Sequence, residues 1–347
     1  MTTNTNHRFN TLDGLRGIAA IAVMLHHFNH SLFPNASVAV DLFFGLSGFV
    51  IAYSYYPKLY SNLSMYTYLK KRLIRLYPMF LLGLIIGVVA LIIKSLYFQT
   101  NLSFAQIFTA FSMNLFYLPY LADFYVQIGI DRIPSAIFPT NDPAWSLFFE
   151  MFINVVLALL LLISKNTKFI ISIVITSAIG LIGYSLYFHI ATPGWGMHNF
   201  LGGIPRVFYS FFTGVLIFLL FNFLKSKVQA INPIYILFAL FVLLSIPYSG
   251  KIWLISTIFI VPIFIVLGSI SNSTNARINS ANEYLGWISY PLYCIHFPIL
   301  SIYSTFYSDE NSYITTLVCS VISIVLAHLL AKYIEEPMRF RLSKKFL

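Results

Sequence analysis

The chain has 347 residues, of which 59% are hydrophobic and only 9% charged, with 34 Phe, 23 Tyr and a formal net charge of +10; its mean hydropathy is +0.81. This composition excludes a water-soluble globular domain and a disordered polar chain. The only two cysteines, Cys294 and Cys319, both fall inside apolar runs, which excludes a disulfide framework and metal-ligand spacing, so no metal is expected.

Apolar runs of the length that spans a bilayer, about 17 to 25 residues, recur from residue 12 to residue 334. They predict an all-α integral membrane protein with ten transmembrane helices at 12–33, 38–56, 77–97, 144–164, 168–190, 204–224, 231–247, 252–270, 284–304 and 313–334. Ten spans put both termini on one side. With that side cytoplasmic, 17 of the 21 Lys and Arg lie inside, and only Lys94, Arg132, Arg206 and Lys251 lie outside. The positive-inside rule then accounts for the basic balance without a nucleic-acid partner. The expected organisation is a cytoplasmic tail at 1–11, one transmembrane domain at 12–335 and a basic cytoplasmic tail at 336–347.

In the first run, LDGLRGIAAIAVMLHHF, Asp13 and Arg16 stand at the start and no A-x-A-like cleavage site follows, so the segment reads as a retained helix rather than a signal peptide. Arg16 and His27 are eleven residues apart, which on a helix puts them on one face and roughly 16 Å apart along the axis. His26 points about 80° away from that face, which resolves the tandem pair in favour of His27. Ionisable groups inside a membrane are costly and usually face a bundle interior or a wet cavity. The second run, VDLFFGLSGFVIAY, opens with Asp41, readable as an N-cap or as a group lining a site. Its Gly45, Ser47 and Gly48 form a small-residue face suited to close helix packing.

A basic amphipathic segment, KLYSNLSMYTYLKKRLIRLYP, follows on the cytoplasmic side and leads to Pro78 at the start of the next span. Lys71, Arg72 and Arg75 form a compact cationic fork that suits phosphates, or equally an anchor on anionic lipid. Residues 98–143 hold Asp123, Asp131 and Asp142, and within them 103–121 reads as a re-entrant or interfacial helix covering a cavity. Asn141-Asp142-Pro143 marks a helix start, so Trp145, Ser146 and Glu150 run inward, with Glu150 roughly 10 Å deep. That depth matches the expected position of His27. A carboxylate and an imidazole buried together describe either an oriented general base or a structural polar pair. His296, in WISYPLYCIHFP beside Tyr293, reads as a hydrogen-bonded core histidine or a site residue.

Five blocks in order, LDGLRGIAAIAVMLHHF with VDLFFGLSGFVI, KKRLIRLYP, PAWSLFFE, ISYPLYCIHFP and the terminal EEP before basic residues, resemble the bacterial membrane acyltransferase-3 family over nearly the whole chain. The resemblance implies a multi-pass O-acyltransferase of the cell inner membrane. It would take an acyl group, commonly acetyl, from cytoplasmic acyl-CoA to a hydroxyl of an extracytoplasmic glycan or glycolipid, such as lipopolysaccharide, capsule, exopolysaccharide or peptidoglycan. Acyl-CoA is then a co-substrate and no cofactor is bound permanently; the implied partners are acyl-CoA, the acceptor glycan and membrane lipid. On that reading Arg16 and His27 form the family's essential pair, and Arg16, Lys71, Arg72 and Arg75 hold the donor. His27, oriented by Glu150, takes the acceptor's proton, or else carries the acyl group itself. Asp41, Ser47, Trp145, Ser146, Tyr293 and His296 line the acceptor side or the cavity. Two departures accompany the resemblance: Glu150 is followed by Met151 where the family usually has a second glutamate, and the chain ends before the soluble hydrolase-like domain that many members append. The alternatives are a transporter or flippase of a polysaccharide intermediate, which would not need the arginine cluster, and a scaffold subunit, which would need neither His27 nor Glu150.

Overall fold

A computed structural model describes residues 8–61, 63–98, 103–122, 127–128, 131–132, 136–163, 166–307 and 312–347. The expected position of Asp123 lies outside the described residues, as do the side chains of Asp131 and Arg132. The protein is helical: α1 (Asn10–Phe28), α2 (Ser37–Ser61), α3 (Met65–Phe98), α4 (Phe104–Leu115), α5 (Ala144–Ile163), α6 (Thr167–Phe188), α7 (Gly203–Leu219), α8 (Phe221–Lys227), α9 (Pro233–Ser245), α10 (Gly250–Ile255), α11 (Val261–Ile270), α12 (Ala276–Phe306), α13 (Tyr313–Leu330) and α14 (Glu336–Phe346). Two-residue strands, Gln127–Ile128 and Asp131–Arg132, pair antiparallel. π-Helical turns at Ser256–Ile260 and Ala331–Glu335 join α10 to α11 and α13 to α14.

Among the described residues, eight helices are long and apolar enough to cross a membrane: Ser37–Lys58, Met65–Tyr97, Ala144–Ile163, Thr167–Phe188, Met197–Leu219, Gly250–Ile270, Ala276–Phe306 and Tyr313–Phe346. The other two expected spans are the 19-residue α1, which carries Asp13 and Arg16, and the apolar α9, only 13 residues long. The 12-residue α4 would rise only about 18 Å, too little to cross. Large apolar side chains stand exposed along α6 (Ile171, Ile175, Ile179, Leu186) and α13 (Leu317, Val321, Val325). Such surfaces are stable against hydrocarbon and a liability in water. The chain is a multi-pass membrane protein.

α1, α2 and α12 form the centre. α1 packs chiefly on α12, α2 on α7, and α3 on α12. Small residues set these close approaches. A Cβ on Gly17 would lie 2.4 Å from the Leu285 Cβ, and one on Gly286 would lie 2.6 Å from Asp13. The small face expected on the second helix packs against α7: Cβ atoms on Gly48 and Gly214 would each fall 2.0 Å from a backbone oxygen, of Phe211 and Gly45 respectively.

Several boundaries differ from expectation, α12 for example beginning at Ala276 rather than 284, and three of the differences bear on the site. α1 ends at Phe28, five residues early, because Asn29 leaves helical geometry (φ −153°) while its N–H still donates to Leu25 O and its side chain accepts from Ser31. α3 does not begin at Pro78 but runs continuously through it. A mid-helix proline is tolerated in a membrane helix packed among neighbours, and next to Pro78 the Tyr290 hydroxyl of α12 donates to Leu76 O, tying α3 to α12. The basic segment 336–346, expected as a tail, is helical and continuous with α13 across the π turn.

Candidate functional site

A cavity of about 130 Å³ lies between α1, α2, α3, α5 and α12. Three arginines occupy one part of it, each held by a carboxylate. Arg16 Nη2 donates to Asp13 Oδ1 and to Gly286 O, both at 3.0 Å. Arg72 Nη2 donates to Glu150 Oε1 at 2.8 Å, and Arg75 Nη1 to Glu335 Oε1 at 2.9 Å. Glu150 Oε1 also accepts from Ser47 Oγ at 2.9 Å, and Glu335 from Arg339 at 3.2 Å. The π turn at Ala331–Glu335 ends on Glu335, whose nearly buried carboxylate (2% exposed) meets Arg75. Inserted π turns re-aim side chains in this way.

The arginines are not saturated. Arg16 Nε and Arg72 Nε are buried donors without a hydrogen-bond partner in the structure, and both residues line the cavity. A buried unpaired donor costs about 1–3 kcal/mol, more on a charged group. With Arg75, Arg16 and Arg72 place three guanidinium groups along the cavity, a chemistry able to bind acceptor-rich anions.

Apolar side chains of Val40, Phe43, Phe44 and Leu147 form walls, and Ser146, Ser289, Tyr290 and Tyr293 add hydroxyls. Tyr293 and Phe43 meet edge to face at 5.5 Å. Tyr293 is fixed from α5: its hydroxyl lies 2.8 Å from Ser146 Oγ and 3.2 Å from Pro143 O. The local sequence explains why α12 is held there. Pro298 has no N–H for the carbonyl of Cys294, four residues back, and that carbonyl instead accepts from Asn141 Nδ2 at 2.7 Å. The lack of a Cβ on Gly83 makes room for the same contact, since one would lie 2.4 Å from Cys294 O. Nearby, burial without a partner for Oδ1 pushes the Asp142 carboxyl up to about 7.

His27 and His296 lie outside the cavity lining, one step past Tyr293. The His296 ring centroid is 5.8 Å from that of Tyr293. His296 is fully buried; its Nε2 lies 2.8 Å from His27 Nδ1, and its Nδ1 lies 3.0 Å from Leu292 O. His27 also packs edge to face on Phe297 at 5.5 Å and sits near His26 and His30, which contact each other at 5.1 Å.

The structure thus brings Arg16, Ser47, Arg72, Arg75, Ser146, Glu150 and Tyr293 together around one space. It corrects four expected placements. The partner of His27 is His296, whereas Glu150 faces Arg72 and Ser47; with α1 ending at Phe28, His27 belongs to its last turn, not to the depth of Glu150. Asp41 does not line the cavity: it is fully buried and accepts from Arg206 Nε and Nη2, both at 2.8 Å, from Trp253 Nε1 at 3.0 Å and from Ser210 Oγ at 3.3 Å. Trp145 flanks that pair, its ring 5.3 Å from the Arg206 guanidinium. Lys71 is outside the lining. Arg206, expected at the outer end of the span 204–224, is buried in α7. Sequence reasoning gave no role to Arg206, Asn141 or Glu335. Arg206 as a lone cation in an apolar run and the terminal Glu335-Glu336-Pro337 were the available signals, while Asn141 offered only its place before Pro143.

The chain is 35% identical over 175 residues to Protein 2 in picA locus of Rhizobium radiobacter, covering 46% of this chain and 85% of that protein. It is 25% identical over 364 aligned positions to the O-acetyltransferase OatA of Staphylococcus aureus, covering 96% of this chain and 58% of OatA. The chain therefore spans little more than half the length of that O-acetyltransferase. No solved structure matches. The family profile described as an acyltransferase domain, Acyl_transf_3, matches residues 9–332, which include every cavity-lining residue, and the chain belongs to that family of membrane acyltransferases.

Proposed function

We propose that the protein transfers an acyl group, acetyl in the first instance, from acyl-CoA on the cytoplasmic side to a hydroxyl of an extracytoplasmic glycan or glycolipid. The observation that carries this reading is the cavity itself, which Arg16, Arg72 and Arg75 line with three guanidinium groups. Phosphates of the donor would take these groups. The charge bias of the loops supports ten spans with the arginine end and both termini in the cytoplasm of an inner-membrane protein. From the arginines an extended pantetheine arm reaches toward Phe43 and Tyr293, beyond which lie His296 and His27.

There His27 acts as general base: it accepts the proton of the acceptor hydroxyl as that oxygen bonds to the thioester carbonyl carbon. The C–S bond then breaks, and the CoA thiolate leaves and is protonated. Ser146 and Tyr293 offer hydroxyls beside the reacting carbonyl. The resemblance to OatA, itself named an O-acetyltransferase, supports the O-acetyl assignment.

The test is a calorimetric titration of purified protein with acetyl-CoA, comparing wild type with Arg72→Ala and Arg16→Ala, alongside acetyl transfer in membranes of the native host. Each substitution is expected to weaken binding roughly 10- to 100-fold, since a hydrogen bond to a charged group contributes about 1.5–3 kcal/mol. His27→Ala should bind acetyl-CoA normally and transfer none. A folded wild type that binds no acyl-CoA refutes the proposal and returns the weight to a polysaccharide transporter or flippase.

A further inference from the structure

We infer that His296 is a positioning residue that locks His27 in the tautomer with its proton on Nδ1, leaving Nε2 bare to act as base. This rests on the general-base reading above and deepens it. The steps are set by donor and acceptor chemistry. A backbone carbonyl only accepts, so the contact from His296 Nδ1 to Leu292 O at 3.0 Å requires a proton on that Nδ1. A neutral His296 then has a lone pair at Nε2. The 2.8 Å contact between that atom and His27 Nδ1 is a hydrogen bond only if His27 Nδ1 carries the proton. One backbone oxygen thereby decides the protonation of a ring two hydrogen bonds away.

The opposite sense would need His296 to be a fully buried imidazolium, and among the described residues no carboxylate contacts either ring. The rings lie within 10° of parallel, centroids 5.1 Å apart, so the shared bond lies nearly in both ring planes. When the acceptor's proton arrives on His27 Nε2, the resulting imidazolium keeps donating from Nδ1 to His296 Nε2. That bond strengthens as charge develops, a neutral counterpart of the carboxylate that orients histidine in other acyl-transfer sites. Leu292 belongs to the same α12 stretch that Asn141 and Ser146 pin to α5, so the orienting carbonyl is rigidly held.

Two measurements test this. The first uses wild-type protein with 15N-labelled histidine, its signals assigned with the His27→Gln and His296→Gln variants. At a pH where both rings are neutral, His27 is expected to show a protonated Nδ1 and a bare Nε2; the reverse pattern overturns the inference whether or not activity is found. The second measures acetyl transfer from acetyl-CoA in native-host membranes complemented with His296→Phe or His296→Gln, both checked for folding by size exclusion. His296→Phe keeps the shape but removes the acceptor, and kcat should fall about 100-fold or more with KM for acetyl-CoA unchanged. His296→Gln, whose Oε1 can accept from His27 Nδ1, should recover at least about a tenth of the wild-type rate. Wild-type kcat in folded His296→Phe, or equal loss in both variants, overturns the positioning role. Retained transfer in His27→Ala would instead refute the general-base reading beneath it, and the two failures are thus separable.

Discussion

Removing Asp41 tests the division between groups that hold the bundle together and groups that serve its chemistry. Its carboxylate takes two bonds from Arg206 at 2.8 Å, one from the Trp253 indole and one from Ser210, with both charged partners at most 1% exposed. In Asp41→Ala the guanidinium keeps only Pro193 O and Ser37 O and stays stacked between Trp145 and Trp253. Breaking a buried pair from one side costs about 3–5 kcal/mol, because a buried charge is left uncompensated. Replacing both partners with apolar residues of similar volume, Asp41→Leu with Arg206→Met, should return most of that loss. The assay is thermal unfolding in detergent followed by tryptophan fluorescence, since two of the four tryptophans flank Arg206. Acetyl transfer is measured on the same samples. The single variant should unfold well below wild type and the double variant should recover. An Asp41→Ala protein of wild-type stability that has lost transfer refutes this account and makes Asp41 a participant in the chemistry.

Two further outcomes follow from the same geometry. Glu150→Gln removes the charge that holds Arg72 and Ser47 while keeping the shape. Titration with CoA should show tighter binding, about 10-fold if one charge-assisted hydrogen bond of about 1.5 kcal/mol is released; weaker binding would mean that Glu150 organises the donor site rather than competes for it. The Asp142 carboxyl, raised by burial from 3.8 to about 7, binds its proton more tightly in the folded than in the unfolded protein. Stability should therefore be highest below about pH 4, fall as pH rises toward about 7 and level off above it; thermal unfolding between pH 5 and 8 should lose that slope in Asp142→Asn, and an unchanged slope would assign it to another group.

The amino-acid sequence by itself determined the solvent and the class of architecture. With 9% charged residues and continuous apolar runs at the length of a helical span, far longer than a barrel strand, its backbone is satisfied within helices, because hydrocarbon supplies no hydrogen bonds. It also singled out Arg16 and Glu150, because ions in apolar surroundings are too costly to be idle, and Arg72 and Arg75 as a cationic fork suited to phosphates. These four side chains do line one cavity. What sequence could not supply was which ion faces which. Helical spacing orders residues along one helix, but the pairing of Glu150 with Arg72, of Asp41 with Arg206 and of His27 with His296 joins positions between 78 and 269 residues apart. Such pairings depend on the rotation and depth of each helix in the bundle. Those in turn were decided by features with weak sequence signals: the early end of α1 at Asn29, the unbroken passage of α3 through Pro78, the π turn before Glu336, and glycines whose missing Cβ sets how closely two backbones approach. A shift of one turn moves a side chain about 5.4 Å along its helix, more than the length of any hydrogen bond that defines this site, so matching by depth alone joined His27 to the wrong partner, and only the packed bundle joined it to His296.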